Sequence, residues 1–154
     1  MGERDGIRQL TMLAHPFPAK VVHKNPGGGG SYVKHSTVQQ RLIDVLGTAP
    51  RTELVQVIRG NADGRSGADP LTDVVVGVVL RMTCTVDGLE CVVEEAGDCE
   101  LPSNWKHDGA RMKDAISDAY KRCAMRLSVG LSLWSQDDWY LSQKLMDQDK
   151  AAGS

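Results

Sequence analysis

Arg111, Lys121, Arg122 and Arg126 stand within the stretch Asp108–Gly130, DGARMKDAISDAYKRCAMRLSVG. At about 100° per residue, Met112, Ile116, Ala119, Tyr120, Cys123 and Leu127 fall on one apolar face of a long helix. Arg111, Arg122 and Arg126 line one shoulder of that face, and Lys121 projects from the far side. Asp118 stands four residues before Arg122 and three before Lys121, the spacing at which a carboxylate holds cations on a helix surface. The chemistry open to such a helix is phosphate binding, in which guanidinium and ammonium groups grip a sugar-phosphate backbone. A surface helix with solvated charges has the same composition, so the surroundings must decide.

No catalytic constellation accompanies these cations. Gly27–Gly30 is a run of four glycines, but no Gly-Lys-Ser/Thr follows it, which excludes a Walker loop and leaves a flexible surface turn. Asp137-Asp138 suits the start of a helix better than a metal site. Clustered carboxylates for a divalent ion, the requirement of a nuclease or nucleotide hydrolase, are not marked by any spacing. Cys84, Cys91, Cys99 and Cys123 form no C-x-x-C pair, and His15, His23, His35 and His107 are scattered, so reduced thiols are expected and zinc is not. The expectation is a binding protein rather than an enzyme, with no cofactor and no ATP requirement.

The formal net charge of −2 conceals a segregated distribution. Residues 1–42 carry six Lys/Arg against two carboxylates, and Gly6 to Ile43 contains no Asp or Glu at all. Residues 43–104 carry four Arg against eleven carboxylates, and residues 105–126 are basic again. A local basic groove is compatible with an acidic whole. With 154 residues the chain is long enough for one domain with a real core. No apolar run reaches membrane-spanning length and no secretory leader pattern opens the chain, so a cytoplasmic protein is expected.

The elements that must position the cations are legible from pattern. Residues 1–12 read as a flexible N-terminus, 13–147 as one folded domain and 148–154 as a disordered tail. Lys20–His23 suits a short edge strand. Ser36 and Gln39 form a capping box for a helix whose stripe is Val38, Leu42, Val45 and Leu46 and whose stop is Gly47. Glu53–Arg59 alternates as a strand, and Gly60–Asp69 is a polar loop. Asp73–Val86 is a long strand with Val74, Val76, Val78, Leu80, Met82, Cys84 and Val86 on one face. Asp87-Gly88 signals a two-residue hairpin, and Leu89–Glu95 returns antiparallel. Ser135 and Asp138 suit the N-cap of a short C-terminal helix that buries Trp139, Leu145 and Met146. The fold class is α+β: a three-stranded antiparallel sheet (a β-β-β-α core) packed on the long helix, with an N-terminal helix and a short C-terminal helix.

Three stretches of this sequence carry a resemblance. One is Ser117-Asp118-Ala119-Tyr120-Lys121-Arg122, with a glycine nine residues after the lysine and Leu133-Trp134 beyond it. The second is Tyr32-Val33 with Val38, Asp44 and Gly47, and the third is Leu13-Ala14-His15-Pro16-Phe17-Pro18. Together, over residues 13–134, they resemble single-strand annealing proteins of the Rad-fifty-two superfamily, in particular their small phage and bacterial members. The resemblance implies a DNA-repair and recombination protein that binds single-stranded DNA and anneals complementary strands without ATP. It also implies a homo-oligomer, as a ring or partial ring with DNA in a rim groove. Lys121 and Arg122 match the family's Lys-Arg pair that lines the inner groove, and Arg126, Arg111, Lys34 and Arg41 are further candidate DNA contacts.

The departures from the family pattern are specific. Met125 stands where another Arg is common, and Arg126 follows one residue later, a rotation of roughly 100°. Thr37 replaces an Arg at the start of the first helix, Thr48 an aromatic, Arg51 a Trp, and Ser128 a frequent Gly. By the same resemblance, the recruiting tail of larger eukaryotic members is expected to be absent. Three other readings stay open: a single-strand or DNA-end protection protein without efficient annealing, a nuclease accessory with a cryptic metal site, and a structural ring whose basic helix serves subunit contact.

Overall fold

The computed structural model describes residues 7–134 and 141–153. In chain order the elements are α1 (Gln9–Ala14), β1 (His23–Lys24), β2 (Ser31–Tyr32), α2 (His35–Leu46), β3 (Arg51–Ala62), β4 (Leu71–Val86), β5 (Leu89–Asp98), α3 (Asp108–Arg126), α4 (Leu131–Trp134) and α5 (Leu141–Ala152). They form two compact units. One holds the chain up to Pro50, the hairpin tip Cys84–Cys91 and the chain from Ala124; the other holds Arg51–Thr83 and Val92–Cys123.

In the first unit, α1 packs against both α2 and α5. Leu13, Val33, Val38, Leu42 and Val129 are fully buried. The expected edge strand at Lys20–His23 is largely a 3-10 turn over Ala19–Val21. Only His23 and Lys24 extend, pairing with Tyr32 and Ser31. The glycine run between them is the surface turn anticipated: the Asn25 N–H donates to the Gly30 carbonyl at 3.0 Å. The capping box does not form. Helix α2 starts one residue early, at His35, with Lys34 as N-cap and no side-chain cap. Its amides at Thr37 and Val38 are satisfied by the Lys34 carbonyl, which leaves Ser36 inside the first turn. Gly47 ends α2 at φ 83°, its N–H donating to the Ile43 carbonyl.

The two termini correct the sequence reading. Residues 148–152 are helix rather than disordered tail, and Gln9–Met12 lies in α1 rather than in a flexible lead-in. Asp149 explains both. Its buried carboxylate accepts the Thr11 hydroxyl, the Arg8 side chain and, at 3.1 Å, the Arg8 backbone N–H. An isolated polar pattern does not reveal such a pairing across the chain. The cap expected at Ser135 and Asp138, and Trp139, lie outside the described residues.

The second unit is the sheet with its helix. Strand order is β3-β4-β5, antiparallel, with β4 central and α3 packed against the sheet. The strands run longer than their alternation shows. The buried apolar side chains of β4 are Val75, Val78, Leu80, Met82 and Val86, so the expected even-numbered series breaks before Val78. Ile58 pairs with Gly77 and Arg59 with Val75, so Val76 is a bulged residue. The extra residue brings Val75 into phase with Val78. On the exposed side, Arg81 bridges all three strands, reaching Glu94 on β5 at 2.7 Å and Glu53 on β3 at 3.4 Å.

Gly97 sets how closely the helix lies on the sheet. A Cβ there would meet the Ala115 carbonyl oxygen at 2.2 Å and the Ala119 nitrogen at 2.3 Å, so only glycine fits. The small residues Ala115, Ala119 and Cys123 form the contacting stripe and are fully buried, and the Cys123 thiol points at the Leu80 carbonyl. Met112 and Ile116, expected at the centre of the apolar face, are only half-buried. Backbone contact at Gly97 rotates the helix toward its alanines.

Candidate nucleic-acid interface

With its alanine stripe on the sheet, α3 carries Lys121 half-buried and Arg122 exposed. The Arg122 side chain retains 52% of its accessible surface. Its Nε donates to Asp118 Oδ2 at 3.1 Å, the i,i+4 pair read from the sequence. The same oxygen accepts the Asp98 backbone N–H at 3.0 Å. Asp118 thus ties the end of β5 to the helix and orients Arg122 from one atom. That second bond has no local sequence signal, because it depends on where β5 ends in space.

Arg126 is exposed in the last turn of α3, where a cation also complements the helix dipole. The helix closes with a Schellman arrangement: the Val129 N–H donates to the Ala124 carbonyl and the Ser128 N–H to the Met125 carbonyl. Ser128 takes φ 73° there, a left-handed backbone that glycine adopts without strain.

Arg111 is no surface cation. It is 5% exposed. Its Nε donates to the Pro102 carbonyl at 2.9 Å, and its two amino nitrogens to the Trp105 carbonyl at 2.6 Å and to Asp108 at 3.0 Å. It fastens the loop before α3 and is removed from the candidate DNA contacts. Periodicity places it on the shoulder of the apolar face with Arg122 and Arg126; at its end of the helix the Pro102–Trp105 segment covers that shoulder, whereas Arg122 and Arg126 further along stay exposed.

Asp108, unnoticed in the sequence except as the start of the helix, is the hub of this end. It accepts the Val75 N–H at 3.1 Å, Arg111, and Arg59 at 3.1 Å. The Val75 amide foremost, and then the two arginines, hold its carboxyl below the usual range. Arg59 also binds Asp73, and these bonds raise its guanidinium further above its ordinary value.

In the other unit, Lys34 is exposed at the N-cap of α2. Arg41, about two turns further on, closes the C-terminus of α1. It donates to the carbonyls of Met12, Leu13 and His15, the last at 2.6 Å, while its guanidinium lies 4.4 Å above the centre of the Phe17 ring. Burial, partly offset by Asp44, lowers its pKa. The structure therefore gathers Lys121, Arg122 and Arg126 on one helix, gives Arg41 a structural task, and leaves Lys34 exposed.

Among the described residues, no three His, Cys, Asp or Glu side chains converge as a metal site, and no helix is long and apolar enough to cross a membrane.

A three-stranded antiparallel sheet backed by a long helix, with an adjacent Lys-Arg pair on that helix, defines a β-β-β-α protein. The family model described as Rad52/22 family double-strand break repair protein matches residues 7–152, and the chain belongs to that family. No curated protein matches it. Membership ties the chain to DNA repair and recombination.

Proposed function

We propose that this protein binds single-stranded DNA along α3 and anneals complementary strands without ATP, as a homo-oligomeric ring or partial ring. One observation carries the reading: Arg122 is exposed beside Lys121 and held by a carboxylate that is itself anchored to the sheet, on a helix within the residues that the family model matches. Pre-ordered cations grip phosphates without an added ordering cost, and a helix that contacts backbone leaves base edges open to a second strand.

Assembly is supported by the sheet's edges. Leu54 and Val55 on β3 are each 44% exposed and Val92 on β5 is 54% exposed, apolar residues on edge strands that a neighbouring subunit would cover. A multivalent rim turns weak single-helix contacts into useful affinity.

The test is annealing of two complementary oligonucleotides without ATP, for the wild type and Lys121→Ala/Arg122→Ala, with oligomeric state measured in parallel. Acceleration by the wild type, lost in a double variant that still assembles, supports the reading. Tight single-strand binding without acceleration replaces it with strand protection. A double variant that no longer assembles assigns the pair to subunit contact.

A further inference from the structure

Cys84 and Cys91 stand three residues to either side of the Asp87-Gly88 turn. Asp87 (φ 49°) and Gly88 (φ 79°) both take left-handed backbone, as a two-residue type I′ hairpin turn requires. The residues flanking such a turn pair directly, so Val86 faces Leu89, Thr85 faces Glu90, and Cys84 faces Cys91. The far end of the hairpin keeps this register. There the Cys99 N–H donates to the Val76 carbonyl at 2.9 Å, the partner reached by counting outward from the turn with no residue skipped.

That bond also sets the phase of the ladder. Opposed residues in an antiparallel pair alternate between hydrogen-bonded and non-hydrogen-bonded positions. Val76 and Cys99 occupy a hydrogen-bonded position, and steps of two along β4 lead from Val76 to Cys84. Cα atoms of such a pair lie about 5.5 Å apart, inside the span of about 4.4–6.8 Å that a disulfide bridges. Both cysteines are free and half-buried, on the side of the hairpin that also carries the buried Val86.

We propose that Cys84 and Cys91 are a redox modification site, at which hydrogen peroxide converts two opposed thiols into a cross-strand disulfide. Peroxide first oxidises the Cys91 sulfur to a sulfenic acid: the O–O bond breaks, an S–O bond forms and one water leaves. The Cys84 sulfur then attacks that of Cys91. An S–S bond forms, the S–O bond breaks, and the departing hydroxide takes the Cys84 proton as a second water. Burial, with Cys91 beside it, raises the Cys84 thiol above its ordinary value, which makes Cys91 on edge strand β5 the sulfur oxidised first. Side chains at a hydrogen-bonded position are the more widely spaced, so closing the bridge strains the hairpin and leaves the bond easily reduced.

The experiment is peroxide treatment of the full native chain, alkylation of remaining thiols, and digestion with proteases that cut at Asp87 and Glu90, followed by non-reducing mass spectrometry. The expected product is a Cys84–Cys91 linked peptide pair, two hydrogens lighter than the reduced peptides and lost on treatment with dithiothreitol. With dimedone present, the ratio of bridge to dimedone adduct at Cys91 should be at least about tenfold higher than in the urea-unfolded chain, since the fold holds the two sulfurs together. Cys84→Ser should instead accumulate a dimedone-reactive sulfenic acid at Cys91. Separate alkylation or separate over-oxidation of the two thiols, a bridge to Cys99 or Cys123, or a bridge only between chains would overturn the proposal. So would an equal ratio of bridge to dimedone adduct in folded and unfolded protein.

Discussion

Arg122 and Asp118 share an ion pair of 3.1 Å whose acceptor oxygen also receives the Asp98 amide. The carboxylate thus both orients the guanidinium and offsets its charge. In a helix that grips phosphates the second effect opposes binding, because any phosphate approaching Arg122 also approaches Asp118. Asp118→Asn keeps an acceptor for the Asp98 amide and removes the negative charge. Single-stranded DNA should then bind more tightly, by about 2–5-fold at low salt, with the gain shrinking toward physiological ionic strength. Fluorescence anisotropy titrations across salt concentrations check this. Weaker binding at every salt concentration would mean that orientation, not charge, is the carboxylate's contribution.

Arg111 makes the opposite case, a cation whose partners are all protein. Arg111→Met leaves the Pro102 and Trp105 carbonyls without their donor and Asp108 with one partner fewer. A loss of about 3 kcal/mol in unfolding free energy is expected from breaking a buried, hydrogen-bonded charge. Below the unfolding transition, DNA affinity and its salt slope should stay at wild-type values. Urea denaturation and anisotropy on the same preparations separate the two outcomes. A salt slope reduced by about one would restore Arg111 as a phosphate contact.

Much of this architecture is written in local pattern, and the failures share a cause. The Asp87-Gly88 turn, the Gly47 stop, the antiparallel sheet and the long helix each depend on residues near in sequence, and each is where pattern puts it. The alternation along β4 fails at its start, where a bulge at Val76 breaks the two-residue period, and no residue type announces a bulge there. The alanines of α3 lie closest to the sheet because Gly97, on a different element, admits helix backbone where a side chain would clash. Arg111 is covered by the Pro102–Trp105 segment, an arrangement that no helix spacing encodes. For the site, the Lys121-Arg122 pair and its Asp118 partner were visible as helix spacings, whereas the Asp98 and Asp108 connections bridge distant segments and leave no periodic trace.

Ser128 offers a gain of stability. It sits in left-handed backbone at the Schellman closure of α3, where a side chain costs roughly 1 kcal/mol that glycine does not incur. Ser128→Gly should therefore raise the unfolding free energy by about 0.5–1 kcal/mol. That increment remains after some allowance for glycine's greater freedom in the unfolded chain. Thermal and urea denaturation of the pair measure it. A loss of stability would show that the Ser128 hydroxyl, which bonds the Leu127 carbonyl, outweighs the backbone preference.

Acid should loosen the protein through two carboxylates. Asp149 is held below the usual range foremost by the Thr11 hydroxyl and then by Arg8, and Asp108 by the Val75 amide, Arg111 and Arg59. A carboxyl whose folded pKa is depressed contributes its full stabilisation above the unfolded value, about 4 for Asp. That contribution is lost as pH falls through the folded value. Unfolding free energy should therefore be flat with respect to these two groups near neutrality and drop below about pH 4. Asp149→Asn should lower stability at neutral pH, because Arg8 loses its ionic partner, and flatten the acid drop. Asp108→Asn should do the same through a different pair of arginines. Denaturant melts at a series of pH values measure both slopes. Because Asp149 joins α5 to the start of α1, its variant should also raise amide exchange at Arg8 and Thr11, while Asp108→Asn should raise it at Val75. Wild-type acid slopes in both variants would remove these carboxylates as the origin of the transition.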